Sequence, residues 1–150
     1  IMPNTAVAVG EGVTMYCCSD NVTEAQREGF VSLLHCSGLL EELDEKLMDV
    51  GSAVAGCGGA FACLFLEGLA DGAVYAGLPR AKAQRYAAQM LLGIAKLALA
   101  SDEHTGALKD AVCSPGGTTI AGVRALEERG FRAAAMNAVI AAYERTKELG

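Results

Sequence analysis

Two hydrophobic patterns share this chain of 150 residues, and they change over near residue 44. Before that point the apolar positions come in short β-capable runs, at 5–9 and 13–18, separated by Gly10-Glu11-Gly12 in a hairpin-like or looped connection. Thr23 with Gln26 has the spacing of a capping box. Phe30, Leu33, Leu34 and Ser37 then share one helical face until Gly38 stops the helix, and 39–43 reads as a short third strand. Two or three strands and one helix are too few for a stable sheet, so this region reads as the edge of something larger.

From Asp44 onward the spacing is helical. It predicts helices at 45–56 and 60–76 with a break at Gly58-Gly59, and a third that Pro79 opens and that runs to about Ala100. Tyr86, Met90, Leu91, Ile94, Leu97 and Leu99 go round most of that third helix, as on a central buried one. A polar loop at 101–106 contains His104, expected to shape the loop. A short helix to about Ala111 follows, then a capped segment at 114–129, Gly130, and a last helix at 131–149.

Composition sharpens the picture. A formal net charge of -6 and only 12 scattered Lys and Arg exclude a nucleic-acid interface; the densest cluster, Arg80, Lys82 and Arg85, reads as a solvated helix face. With 52% hydrophobic residues and no Trp, the chain is more apolar than its own core requires, so part of its surface is expected to meet another subunit. The uncharged run 50–66 falls short of the roughly 20 residues of a spanning helix. It holds Gly51, Gly56, Gly58 and Gly59 and is followed by Glu67 and Asp71, so it reads as a buried, broken helix with no membrane partner. Cysteines at 17, 18, 36, 57, 63 and 113 include no C-x-x-C pair, which points to buried thiols in a reducing, cytoplasmic setting and to no metal site.

Chemistry concentrates at Ser114-Pro115-Gly116-Gly117-Thr118-Thr119. Ser114 suits an N-cap and Pro115 the first helical position, where a missing N–H costs nothing. Gly116 and Gly117 would let a small ligand approach free amides at the positive end of the helix dipole, which favours an anion such as a carboxylate. A capped helix start that binds nothing has the same spacing.

The segment 109–122, Lys109-Asp110-Ala111-Val112-Cys113 leading into those six residues and on to Ile120-Ala121-Gly122, closely resembles the signature of the pyrroline-5-carboxylate reductase family. Met2-Pro3-Asn4-Thr5 with Val9-Gly10-Glu11-Gly12, Leu69-Ala70-Asp71-Gly72, Gly77-Leu78-Pro79-Arg80 and Gly130-Phe131-Arg132 agree in order and spacing. The resemblance implies a mainly α fold: a helical dimerisation domain at 44–150, like the C-terminal domain of 6-phosphogluconate dehydrogenase, after a small α/β remnant of a dinucleotide-binding domain at 1–43. It also implies NAD(P)H-dependent reduction of 1-pyrroline-5-carboxylate to proline. Ser114, Gly116, Gly117 and Thr118 would bind the substrate carboxylate, and Thr119 would be the catalytic hydroxyl at the imine nitrogen. Met2, Pro3 and Asn4 would lie on the cofactor side, and the partner would be a second copy in a homodimer or higher oligomer.

Departures from the family pattern include Ala55-Gly56-Cys57-Gly58-Gly59-Ala60-Phe61 in place of Ser-Gly-Ser-Gly-Pro-Ala-Tyr, Thr105 where Pro is usual, and Ala111 where some members have Asn. Gly56-Cys57-Gly58-Gly59-Ala60-Phe61 also fails the G-x-G-x-x-G pattern at its last position. NADP or NAD is therefore expected to be held mainly by a Rossmann half outside the chain, which on its own should be inactive. The competing readings are a stand-alone helical oligomerisation or small-acid-binding module without catalysis, and a reductase of a related cyclic imine.

Overall fold

A computed structural model describes residues 1–149. Three strands, β1 (Met2–Pro3), β2 (Gly12–Tyr16) and β3 (Gly38–Glu42), form one sheet in that order. β1 runs antiparallel to β2, with Met2 opposite Met15. β2 and β3 are parallel, in register from Gly12 and Gly38 to Tyr16 and Glu42. The crossover between them is α1 (Glu24–Leu34). Its capping box forms as the sequence indicates: the Thr23 hydroxyl accepts from the Gln26 amide, and the Gln26 carboxamide oxygen accepts from the Thr23 amide. Tyr16 meets Phe30 edge to face at 5.1 Å, and Arg27 pairs with both Glu24 and Glu42, so α1 is pinned to both parallel strands.

The run 5–9 is not a strand. Thr5–Val9 is a 3-10 helix, because the Asn4 side chain captures the local backbone: its Oδ1 accepts from the amides of Ala6 and Val13, both at 3.2 Å. The same side chain donates from Nδ2 to the Ala55 carbonyl at 3.0 Å, joining the sheet to the end of α2 (Met48–Ala55). Gly10, at φ 74, turns the chain toward β2. There Gly12 has no room for a side chain, since a Cβ would lie 2.6 Å and 2.8 Å from the backbone N and Cα of Val7. Gly12→Ala is expected to lower the unfolding free energy by about 2 kcal/mol. A denaturant midpoint equal to that of the parent would overturn this account of the strand entry.

The helical remainder comprises α2, α3 (Gly58–Tyr75), α4 (Arg80–Ala100), α5 (Thr105–Ala111), α6 (Thr118–Glu128) and α7 (Phe131–Leu149). The break after α2 falls at Gly56-Cys57 and not at Gly58-Gly59: both amides fold back onto the Ser52 carbonyl, and the next helix starts at Gly58. Pro79 caps α4, and Arg80 pairs with Asp71 of α3. The chain divides into two compact units, one of Ile1–Phe61 with the segment from Met136 onward, the other of Ala62–Ala135.

Little of this surface is covered. Among the described residues the buried apolar side chains are Met15, Tyr16, Ala53, Ala70, Ala83 and Ala87. The expected central helix α4 leaves Tyr86, Met90, Ile94, Leu97 and Leu99 exposed, and no cysteine is fully buried. The accessible surface is 10851 Å². A monomeric domain of this mass exposes about 7,200 Å². The stretch Glu45–Tyr75 holds an 18-residue window with a mean hydropathy of 1.7, long and apolar enough by length and composition to cross a bilayer, and only 11% of that window is buried. The turn at Gly56-Cys57 divides it into helices of 8 and 18 residues, and Glu67 and Asp71 lie on the longer one. The single chain thus corrects the expectation of internal burial for 50–66 and for α4.

Candidate carboxylate-binding site

The chain reaches the candidate site from the end of α5. The amides of Val112 and Cys113 bond back to the carbonyls of Lys109 and Asp110, so a hydrogen-bonded turn carries the chain from the end of α5 to Cys113. Then the direction reverses: the Gly117 amide donates to the Ser114 carbonyl at 3.0 Å, with Pro115 and Gly116, at φ 68, between them. Proline second and a positive-φ glycine third are the requirements of a type II turn. Ser114 is therefore not the N-cap, and Pro115 is not the first helical residue. That role passes to Gly117, extended at φ -76 and ψ 172, whose carbonyl accepts from Ala121.

This arrangement leaves more amides free than a serine cap would. Gly117 has no side chain to bond back, so the N–H groups of Thr118, Thr119 and Ile120 precede the first i→i−4 bond and lack an intrahelical acceptor. A Cβ on Gly117 would fall 2.3 Å from the Ser114 Oγ, which places that hydroxyl directly over the helix mouth. The hydroxyls of Ser114, Thr118 and Thr119 have no partner among the described residues, and Ser114, Gly116, Thr118 and Thr119 are exposed. Amides, hydroxyls and the helix dipole together can receive a small anion.

The neighbouring cations are already paired. Lys109 donates to the Asp110 carboxylate, which raises the lysine's pKa and keeps it protonated; Arg132, held up in the same way by Glu127, opposes that rise. Phe65 and Phe131 stack at 5.3 Å in the same unit. His104 lies in the loop where the sequence puts it, but as the cap of α5, with Nδ1 accepting from the Gly106 amide at 3.0 Å.

Met2 and Pro3 form the outer strand β1, and both acceptor and donor ends of the Asn4 side chain are engaged with backbone. The strand-to-helix connection of the parallel pair, 17–23, reads Cys-Cys-Ser-Asp-Asn-Val-Thr. It has no glycine to admit a pyrophosphate and carries an acidic residue, so it does not fit a dinucleotide's phosphates. Among the described residues no group of three or more His, Cys, Asp or Glu could hold a metal ion.

A family model described as pyrroline-5-carboxylate reductase dimerisation matches residues 45–149. The pyrroline-5-carboxylate reductases of Synechocystis sp. and Escherichia coli are 48% and 43% identical to the chain over 99% of it, and cover is 56% and 55% of their own length. The chain thus spans about half of the curated relatives it matches. Among solved structures, Plasmodium falciparum pyrroline carboxylate reductase with NADP bound superposes with a TM-score of 0.92 at 38% identity, over 99% of this chain and 61% of that one.

Proposed function

The chain belongs to the pyrroline-5-carboxylate reductase family, and we propose that it is the C-terminal part of an enzyme reducing 1-pyrroline-5-carboxylate to L-proline with NAD(P)H. In this reading residues 44–150 form the dimerisation and substrate-binding domain, and residues 1–43 complete the edge of a nucleotide-binding domain. The observation that carries it is the mouth of α6, where three free amides lie under the Ser114 hydroxyl and the next two residues, Thr118 and Thr119, carry hydroxyls without a partner among the described residues.

The substrate carboxylate rests on the amides from Thr118 onward with the Ser114 hydroxyl beside it; Gly116 and Gly117 provide the bare backbone that lets it approach. The Thr119 Oγ1 accepts the N–H of the protonated imine and turns the C=N bond outward. The nicotinamide, when bound, supplies the hydride to the imine carbon, and the nitrogen keeps its proton. No nucleophile is needed, so this chain's contribution is orientation and charge stabilisation. Because 17–23 does not fit a dinucleotide, the cofactor is assigned mainly to sequence outside this chain, with Met2, Pro3 and Asn4 at its margin.

The partner is a second copy. The surface beyond that of a compact monomer, about 3,700 Å², is of the scale that obligate interfaces cover, and α3 and α4 supply its apolar residues. The free thiols support a reducing, cytoplasmic setting.

NADPH oxidation with pyrroline-5-carboxylate tests the reading. The chain alone is expected to show no turnover, and the chain extended by a Rossmann half to turn over at rates ordinary for a reductase. Turnover by the isolated chain would overturn the division of labour; an inert extended protein would remove the reductase.

A further inference from the structure

The seven residues of α5 begin in an uncommon way. His104, extended at φ -60 and ψ 139, caps the helix with an imidazole: Nδ1 accepts the Gly106 N–H at 3.0 Å, while the His104 carbonyl accepts from Ala107 and Leu108. An imidazole nitrogen accepts only through a free lone pair, so this cap requires the neutral ring with its proton on Nε2. Residue 106 is kept small by the same contact, since a Cβ there would lie 2.9 Å from Nδ1. A helix this short does not persist on its own propensity, which makes its cap decisive. At its other end the chain stays hydrogen-bonded through Cys113 and passes directly into the Ser114 carbonyl that closes the turn before α6.

We propose that His104 is a positioning residue for the α6 mouth: its neutral imidazole caps α5, and the capped helix fixes the Ser114 turn that presents the site. This rests on the reading of that mouth as a carboxylate site. It assigns no proton transfer to the imidazole, although histidine is the side chain best suited to one near neutral pH.

Asparagine separates the two roles, because its side-chain oxygen caps helices but it does not titrate; glutamine has the same amide on a stem too long to cap. In the complete enzyme, His104→Ala and His104→Gln are expected to raise KM for pyrroline-5-carboxylate about five- to tenfold, with kcat and the KM for NADPH changed less than about twofold, and His104→Asn to restore KM. Hydrogen exchange of amides 106–113 should accelerate in the Ala and Gln variants and not in the Asn variant. A fall in kcat shared by Asn and Ala would overturn the proposal in favour of proton transfer, and unchanged exchange in His104→Ala would overturn the cap. Exchange is read without turnover, so an inactive parent would defeat the reductase reading while the cap is still judged.

Discussion

Thr119→Val in the complete enzyme should cut kcat/KM for pyrroline-5-carboxylate about 100-fold, a loss of roughly 2.7 kcal/mol of transition-state stabilisation. The substitution nearly preserves shape and replaces the hydroxyl by a methyl. Thr119 is exposed at the second residue of α6, and its Oγ1 bonds to nothing among the described residues, so the fold loses little. The expected signature is a changed rate with an unchanged denaturant midpoint. Thr119→Ser, which keeps the oxygen, should recover most of the loss. Kinetic constants equal to those of the parent would remove the role given to this hydroxyl, and a matching fall in stability would reassign it to structure.

Leu64→Glu should convert a dimer into monomers at micromolar concentration. Leu64 is 72% exposed on α3, a helix otherwise so apolar that water is an improbable permanent neighbour. A carboxylate buried without a partner costs about 3 kcal/mol in each protomer, and a two-fold interface meets the change twice, so the dissociation constant should rise about 10^4-fold. Sedimentation of parent and variant decides the matter. A parent that sediments as a monomer would contradict self-association, and a variant that stays dimeric would put α3 outside the interface.

Much of the fold is legible in residues whose local chemistry admits one outcome. Thr23 with Gln26, Pro79 before α4 and Gly130 before α7 mark helix starts that the structure reproduces, because each boundary is set by one or two adjacent residues: a capping side chain, a fixed proline φ or a glycine at φ 71. Residues 5–9 mislead because the deciding group, the Asn4 side chain, lies outside the apolar run and reaches Val13 and Ala55. Ser114 misleads for a related reason: serine before proline suits a cap, but proline followed by glycine suits a type II turn better, and the cap moves to Gly117. That Pro-Gly pair was the available signal. For α4 the periodicity correctly indicates a helix apolar on most sides, yet periodicity does not say whose atoms cover it.

Of the buried apolar side chains among the described residues, those on helices are all alanine: Ala53, Ala70, Ala83 and Ala87. Each contributes one methyl, so the helices gain little from leaving water within the single chain. In the dimer proposed above, a protomer built this way would draw most of its cohesion from its twin, and its folding equilibrium would be a bimolecular one. Dilution would then act on it as a denaturant does, and the amount of chain a cell makes would set how much of it is folded.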